Sequence, residues 1–199
     1  MGGRLLAQDE INAREKIFQA TLELITGGEN AERITTRQIA AKAGVNSALV
    51  NYYYQSKENL LSQVVGVMMD DIISRVMQKD SMNTDAQTKL RNILITTADA
   101  AFKYYNICKI AISTELKQGC KNSCAMVMPL LKEMSMGHSE LDLNIIALQL
   151  MLPFHHIVQD PELYNKYLDT NFFDEQQRRQ KINQMIDCVL AGLSREVEQ

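Results

Sequence analysis

Apolar positions along the chain recur at the spacing of helices. Between residues 9 and 26, Ile17, Ala20, Thr21 and Leu24 fall on one stripe, and Phe18, Leu22 and Ile25 on a second beside it. Gly27-Gly28 ends this helix, because glycine tolerates the left-handed conformation past a helix end. In the segment ITTRQIAAKAGVNSALVNYYYQSKENLL, residues 34–61, Thr35 is placed to cap a short helix over Thr36–Ala43, with Ile39, Ala40 and Ala43 as its apolar face. Gly44 ends that helix, Val45 packs the turn, and Asn46 or Ser47 caps a second short helix running to Tyr53. Ser56 caps a third, longer helix from Lys57 to about Lys79. Helices are predicted further on from Ala86 to Tyr105, Ile107 to Lys117, Asn122 to Met134, Glu140 to Gln159 and Asp174 to Arg195, with a loop over Asp160–Phe173 opened by Pro161.

The pattern is all-α. The last helix carries a regular stripe of Ile182, Met185, Ile186, Val189, Leu190 and Leu193. The Glu140–Gln159 helix, with Leu148 and Leu152, is apolar nearly all round and must be covered on most sides. These two helices offer more apolar surface than one domain of this size would cover, which points to a homodimer interface.

Composition narrows the class. The chain has 199 residues, 46% hydrophobic and 23% charged, with 9 Gly, 3 Pro and a formal charge of −3, which excludes collagen-like, mucin-like and disordered readings. The longest apolar region, Leu141–Phe154, is interrupted by Asp142, Asn144 and Gln149, short of an uninterrupted membrane span, and MGGRLLAQDE lacks the apolar core of a signal peptide. The expectation is a cytoplasmic protein with no membrane partner. Overall acidity argues against nucleic acid, yet the stretch from Arg33 to Lys57 holds Arg33, Arg37, Lys42 and Lys57 and no acid. A basic segment on an acidic protein points to local contact with an anion.

That segment is also where two short helices meet at a Gly-containing turn, the pattern of a helix-turn-helix. Such a unit lays its second helix in the major groove, where side chains reach base edges while flanking donors hold phosphates. Here the second helix presents Ser47, Ala48, Leu49, Asn51, Tyr52 and Tyr53, with Val45 and Val50 as the packed side. At about 100° per residue, consecutive tyrosines cannot all face a core, so at least one faces out. A tyrosine hydroxyl beside Lys57 makes a phosphate clamp, and Lys57 sits in the first turn of its helix, where a cation opposes the macrodipole.

The ordered set Ile34-Thr35-Thr36-Arg37-Gln38-Ile39-Ala40, Ala43-Gly44-Val45, Leu49-Val50-Asn51-Tyr52-Tyr53-Tyr54 and Ser56-Lys57-Glu58-Asn59-Leu60-Leu61 resembles the TetR-type (tetracycline-repressor-like) bacterial transcriptional regulators, closely over residues 10–65. The resemblance implies an N-terminal three-helix DNA-binding domain, residues 1–55, followed by a larger helical ligand-binding and dimerisation domain, residues 56–199. It implies that Thr36 holds a phosphate, that Arg37 lies near a base edge or phosphate, that Ser47, Ala48 and Leu49 occupy base-reading positions, and that Tyr53 and Lys57 contact phosphates. Asn51 stands where a tyrosine is frequent, able to bond a base or a phosphate, and Tyr54 stands where a phenylalanine usually packs inward, leaving a hydroxyl to satisfy. The resemblance further implies a homodimer through the last two helices, a double-stranded DNA operator, and an unidentified small-molecule effector that releases it as a repressor.

Candidate pocket residues for that effector are Met68, Phe102, Tyr105, Met126, Met151, Phe154 and His155, set against the plainer reading of Met and aromatics as core. Cys108, Cys120, Cys124 and Cys188 are expected to be reduced, with no metal and no cofactor, because the Cys120-x3-Cys124 spacing is not that of zinc ligands. An activator, or a redox- or metal-triggered regulator, is the rival within the class. From another class, the rival is a helical enzyme or scaffold with an inert helix-turn-helix. No phosphate-binding glycine loop, nucleophile elbow or zinc motif supports an enzyme.

Overall fold

The computed structural model describes residues 2–29, 33–79, 84–134 and 137–193. Its elements are helices α1 (Gly2–Thr26), α2 (Thr36–Ala43), α3 (Ala48–Tyr54), α4 (Lys57–Lys79), α5 (Ala86–Lys103), α6 (Tyr105–Lys117), α7 (Lys121–Met134), α8 (Glu140–Gln159), α9 (Pro161–Leu168) and α10 (Glu175–Leu193), with no strand among the described residues. The chain divides into two compact units, residues 1–68 with 106–114, and residues 69–105 with 115–199. The division falls inside α4, and Leu60, Leu61 and Val64, all fully buried, group with the first unit.

In the first unit α1 packs on α2 and α3, and α2 on α3. The inner face of α1 is Ile17, Ala20, Thr21 and Ile25. The buried Thr21 hydroxyl donates to the Ile17 carbonyl at 2.8 Å, so its polar atom carries no desolvation penalty.

The core of the second unit joins Leu90, Ile93 and Leu94 of α5, Val127, Leu130 and Leu131 of α7, Leu143, Ala147, Leu150 and Met151 of α8, and Ile182, Ile186 and Leu190 of α10. Among the described residues, α8 alone has the length and composition of a membrane span, though Leu143, Ala147, Leu150 and Met151 bury one side of it in this core. At the start of α10, the Arg178 guanidinium donates to Asp99 Oδ1 at 2.6 and 2.9 Å and to the Phe172 carbonyl at 2.8 Å. Arg179 reaches the other Asp99 oxygen at 2.7 Å, so the end of α5, the α9–α10 turn and α10 are fastened at one carboxylate.

One predicted loop is a helix. Residues 161–168 form α9, because Pro161 occupies its first position, where a missing N–H is harmless. Asp160 accepts from the Leu163 N–H at 3.3 Å and completes the start. The predicted end of the last helix at Arg195 lies outside the described residues.

Candidate nucleic-acid interface

The interface is built by local caps. Thr35 and Gln38 form a reciprocal capping box, with Gln38 N–H to Thr35 Oγ1 at 3.2 Å and Thr35 N–H to Gln38 Oε1 at 2.9 Å. At the other end of α2, Gly44 sits at φ 67°, ψ 34°, and the Gly44 and Val45 N–H groups close onto Ala41 and Ala40 carbonyls. The turn then delivers Asn46, whose Oδ1 accepts the Ala48 N–H at 2.9 Å, whereas Ser47 makes no capping bond. Of the two cap candidates, Asn46 is the one used.

Helix α3 is anchored from inside by Val50 and Tyr54, both buried. Tyr54 donates its hydroxyl to the Arg14 carbonyl at 2.9 Å and lies under the Arg14 guanidinium at 5.6 Å. Burial pushes its phenol above the ordinary tyrosine range. The opposite face shows Ala48, Asn51 and Tyr52 to solvent, with Tyr52 70% exposed, while Ser47, Leu49 and Tyr53 are half-buried. Tyr52 and Tyr53 meet edge to face at 5.0 Å, which holds both rings in place.

After α3, Gln55 takes φ 65°, ψ −42°, and the Ser56 N–H returns to the Tyr54 carbonyl at 2.7 Å. This is the rare, strained γ-turn with positive φ. Ser56 then caps α4 through the Asn59 N–H at 3.1 Å. The Lys57 ammonium donates to the Ile34 carbonyl at 3.1 Å, tying the start of α4 to the residue before the α2 cap. Thr36 is half-buried and Arg37 exposed, in the first turn of α2. Arg37 has no hydrogen bond or ion pair among the described residues, while Lys42 is engaged by Glu23 at 3.1 Å. The Lys42 hydrogen bond in turn holds the Glu23 carboxyl below the usual range. Thr36 and Arg37 in the first turn of α2, and Ala48, Asn51, Tyr52 and Tyr53 on α3, are thus all at least partly open to solvent.

The effector candidates separate. Met68 belongs to the first unit. Phe102 and Tyr105 stack at 6.1 Å within an aromatic group that includes Phe172 and Phe173. Met151 is buried within the second core, and Met126 and Phe154 pack against it. His155 is buried, its Nδ1 3.4 Å from Cys120 Sγ. Burial pushes the His155 imidazole down to about 4 and raises the Cys120 thiol, so the pair is neutral. Burial raises Cys124 and takes Cys108 to about 12; Cys188 is exposed. Among the described residues no group of three metal-capable side chains forms.

Of the interface candidates, Ile182, Ile186 and Leu190 are buried in the core of their own unit. Leu148 is exposed, and Leu152, Met185 and Val189 half-buried. The side chain of Leu193 lies outside the described residues. A cleft of about 400 Å³ runs between α8 and α10, lined by Leu150, Pro153, Phe154, Met185 and Val189, with Lys181 and Gln149 at polar positions.

Sequence reasoning missed the Gln55 turn and the Asp99–Arg178 clasp. Only a glycine at position 55 would have signalled the first, and nothing local links residues 99 and 178.

Comparison with known proteins agrees with this geometry. Residues 17–64 match the family described as bacterial regulatory proteins, tetR family. The nucleoid occlusion factor SlmA of Salmonella dublin is 30% identical over 86 residues, 42% of this chain and 43% of that protein, so the chain matches less than half the length of that relative. A TetR transcriptional regulator from Rhodococcus sp. RHA1 superposes with TM-score 0.63 at 19% identity, over 94% of this chain and 99% of that one. Thermus thermophilus FadR, a TetR-family transcriptional repressor solved with lauroyl-CoA, superposes with TM-score 0.66 at 16% identity, over 87% and 92%. Residues 17–64 thus match the bacterial regulatory proteins of the tetR family, in a chain that has the all-α fold of solved TetR-type transcriptional regulators.

Proposed function

We propose that this chain is a sequence-specific transcriptional repressor in the cytoplasm, bound as a homodimer to a double-stranded operator and released when a small-molecule effector binds its second unit. The observation that carries the reading is the face of α3. Val50 and Tyr54 fix the helix from within, so Ala48, Asn51 and Tyr52 are displayed outward, and Arg37 in the first turn of α2 is exposed. A docked helix with exposed polar and small side chains is what a major groove accepts.

Homodimer formation is supported by α8, where Leu141, Ile145 and Leu148 leave an apolar stripe exposed at helical spacing. An effector is supported by the Thermus neighbour solved with lauroyl-CoA and by the apolar second unit, which carries Met126, Met151 and Phe154. Release requires only that the effector bind the off-DNA state more tightly than the on-DNA state.

The test is fluorescence anisotropy on the DNA upstream of the protein's own gene, against scrambled DNA, at several salt concentrations. Sequence-preferring binding that weakens steeply with salt is expected. Binding indifferent to sequence, both there and in a genome-wide selection of bound fragments, would refute the reading.

A further inference from the structure

We propose that Asn51 reads an adenine in the operator; the inference rests on the DNA-binding reading above. A side-chain amide pairs with adenine in the major groove by accepting from its N6 amine and donating to its N7, a two-bond contact no other base reproduces. A residue in that role needs both amide groups uncommitted.

Of the five amide side chains from Gln38 to Asn59, four are already used within the unit. The Gln38 oxygen takes both the N–H and the hydroxyl of Thr35 at 2.9 Å. The Asn46 oxygen caps α3 through Ala48. Gln55 and Asn59 bond each other at 3.5 Å. Asn51 is exposed, and its amide makes no hydrogen bond among the described residues.

The phase of the helix places it correctly. Buried Val50 and Tyr54 lie four residues apart and define the inner face, and Asn51 stands on the outer side next to Tyr52. Ala48, one turn earlier, is exposed and contributes only a methyl group, so nothing bulky on that turn keeps the amide from a base edge. The other outward groups cannot substitute: Leu49 and Ala48 are apolar, and the single hydroxyl of Tyr52 cannot form two bonds to one base edge. In a helix of sequence ALVNYYY, Asn51 is the one side chain with a paired donor and acceptor.

The experiment selects bound duplexes from a random pool with the wild-type protein, then measures anisotropy on the selected operator with 7-deazaadenine or nebularine replacing each adenine in turn. These probes remove N7 and the N6 amine respectively. For the wild type, both replacements at one symmetry-related position should weaken binding about tenfold or more. N51A should bind that operator as weakly as the wild type binds the replaced one, and should be indifferent to either replacement. Its helicity and molecular mass should be unchanged, since the side chain is exposed.

If N51A loses affinity equally on every duplex and keeps the adenine preference, Asn51 holds a phosphate and the proposal is overturned. It is overturned equally if N51A behaves as wild type. A wild-type protein that selects no sequence at all overturns the DNA-binding reading together with this one, and is distinguished by failing before any variant is compared.

Discussion

The hydroxyl of Tyr54, at the end of α3, donates to the main-chain carbonyl of Arg14 in α1, forty residues earlier, at 2.9 Å. A position that would suit an apolar ring has instead become a directed link between α3 and α1. Tyr54→Phe keeps the packing and removes one neutral hydrogen bond, so it should cost about 0.5–1.5 kcal/mol in urea unfolding. Loss of several kcal/mol would mean that the bond anchors α3 more strongly than an ordinary hydrogen bond can.

The turn that follows stores strain in the backbone. Gln55 at φ 65°, ψ −42° occupies a region that suits glycine and few other residues. Gln55→Gly should therefore stabilise the protein by about 1 kcal/mol, despite surrendering the long 3.5 Å bond to Asn59. Gln55→Ala is the control: it loses the same bond, keeps the strain and should not stabilise. Equal unfolding midpoints for the two variants would remove strain as the explanation.

How far the sequence carried this picture depends on the range of the interactions. Caps and turns are local, so Thr35, Gly44 and Ser56 announce α2, its end and the start of α4, and the structure uses each in that role. Pro161 was legible as a boundary but ambiguous in direction, since proline opens a helix as readily as a loop. The stripe Ile182, Ile186 and Leu190 shows a different limit. Periodicity says that a helix face is covered, not by what, and here the covering comes from α5, α7 and α8 of the same chain. The pairing of Asp99 with Arg178 joins residues that no window of sequence brings together.

The phosphate contact proposed for Lys57 predicts a compound phenotype. Its ammonium holds the Ile34 carbonyl at 3.1 Å, and an ammonium carries three donors, so a phosphate contact is compatible with that bond. Lys57→Ala should weaken binding to all DNA sequences by a similar factor and reduce the salt slope by about one. It should also cost about 1 kcal/mol of stability, because the Ile34 carbonyl loses a charged donor. A changed base preference with an unchanged salt slope would contradict the phosphate role.

Acid should find a weak point at His155. Burial holds its folded-state imidazole at about 4, below the unfolded value of 6.5, so the unfolded chain binds the proton first as pH falls. The contribution is whole above about 6.5 and is lost progressively between 6.5 and 4. The separation corresponds to about 3 kcal/mol. His155→Gln removes the titration, so urea midpoints of the two proteins should diverge at neutral pH and converge toward about pH 4. Parallel pH profiles would show that His155 is solvated in the folded protein.

The proposed homodimer makes the last prediction, and burial decides which substitution can test it. Leu190 is 7% exposed and packed in the core of its own unit, so a charge there would unfold the chain and say nothing about association. Leu148 is exposed on α8, and Val189 is half-buried on the wall of the cleft between α8 and α10. Leu148→Glu combined with Val189→Glu places carboxylates where a partner's apolar surface would lie, and Leu148→Glu alone is the control for stability, because Val189 also packs against the core of its own unit. Sedimentation should then give the monomer mass with helicity retained. Operator affinity should fall about a hundredfold or more, because two half-sites are no longer bound through one linked pair of reading heads. A double variant that remains dimeric, with its helices intact, would move the interface away from this face.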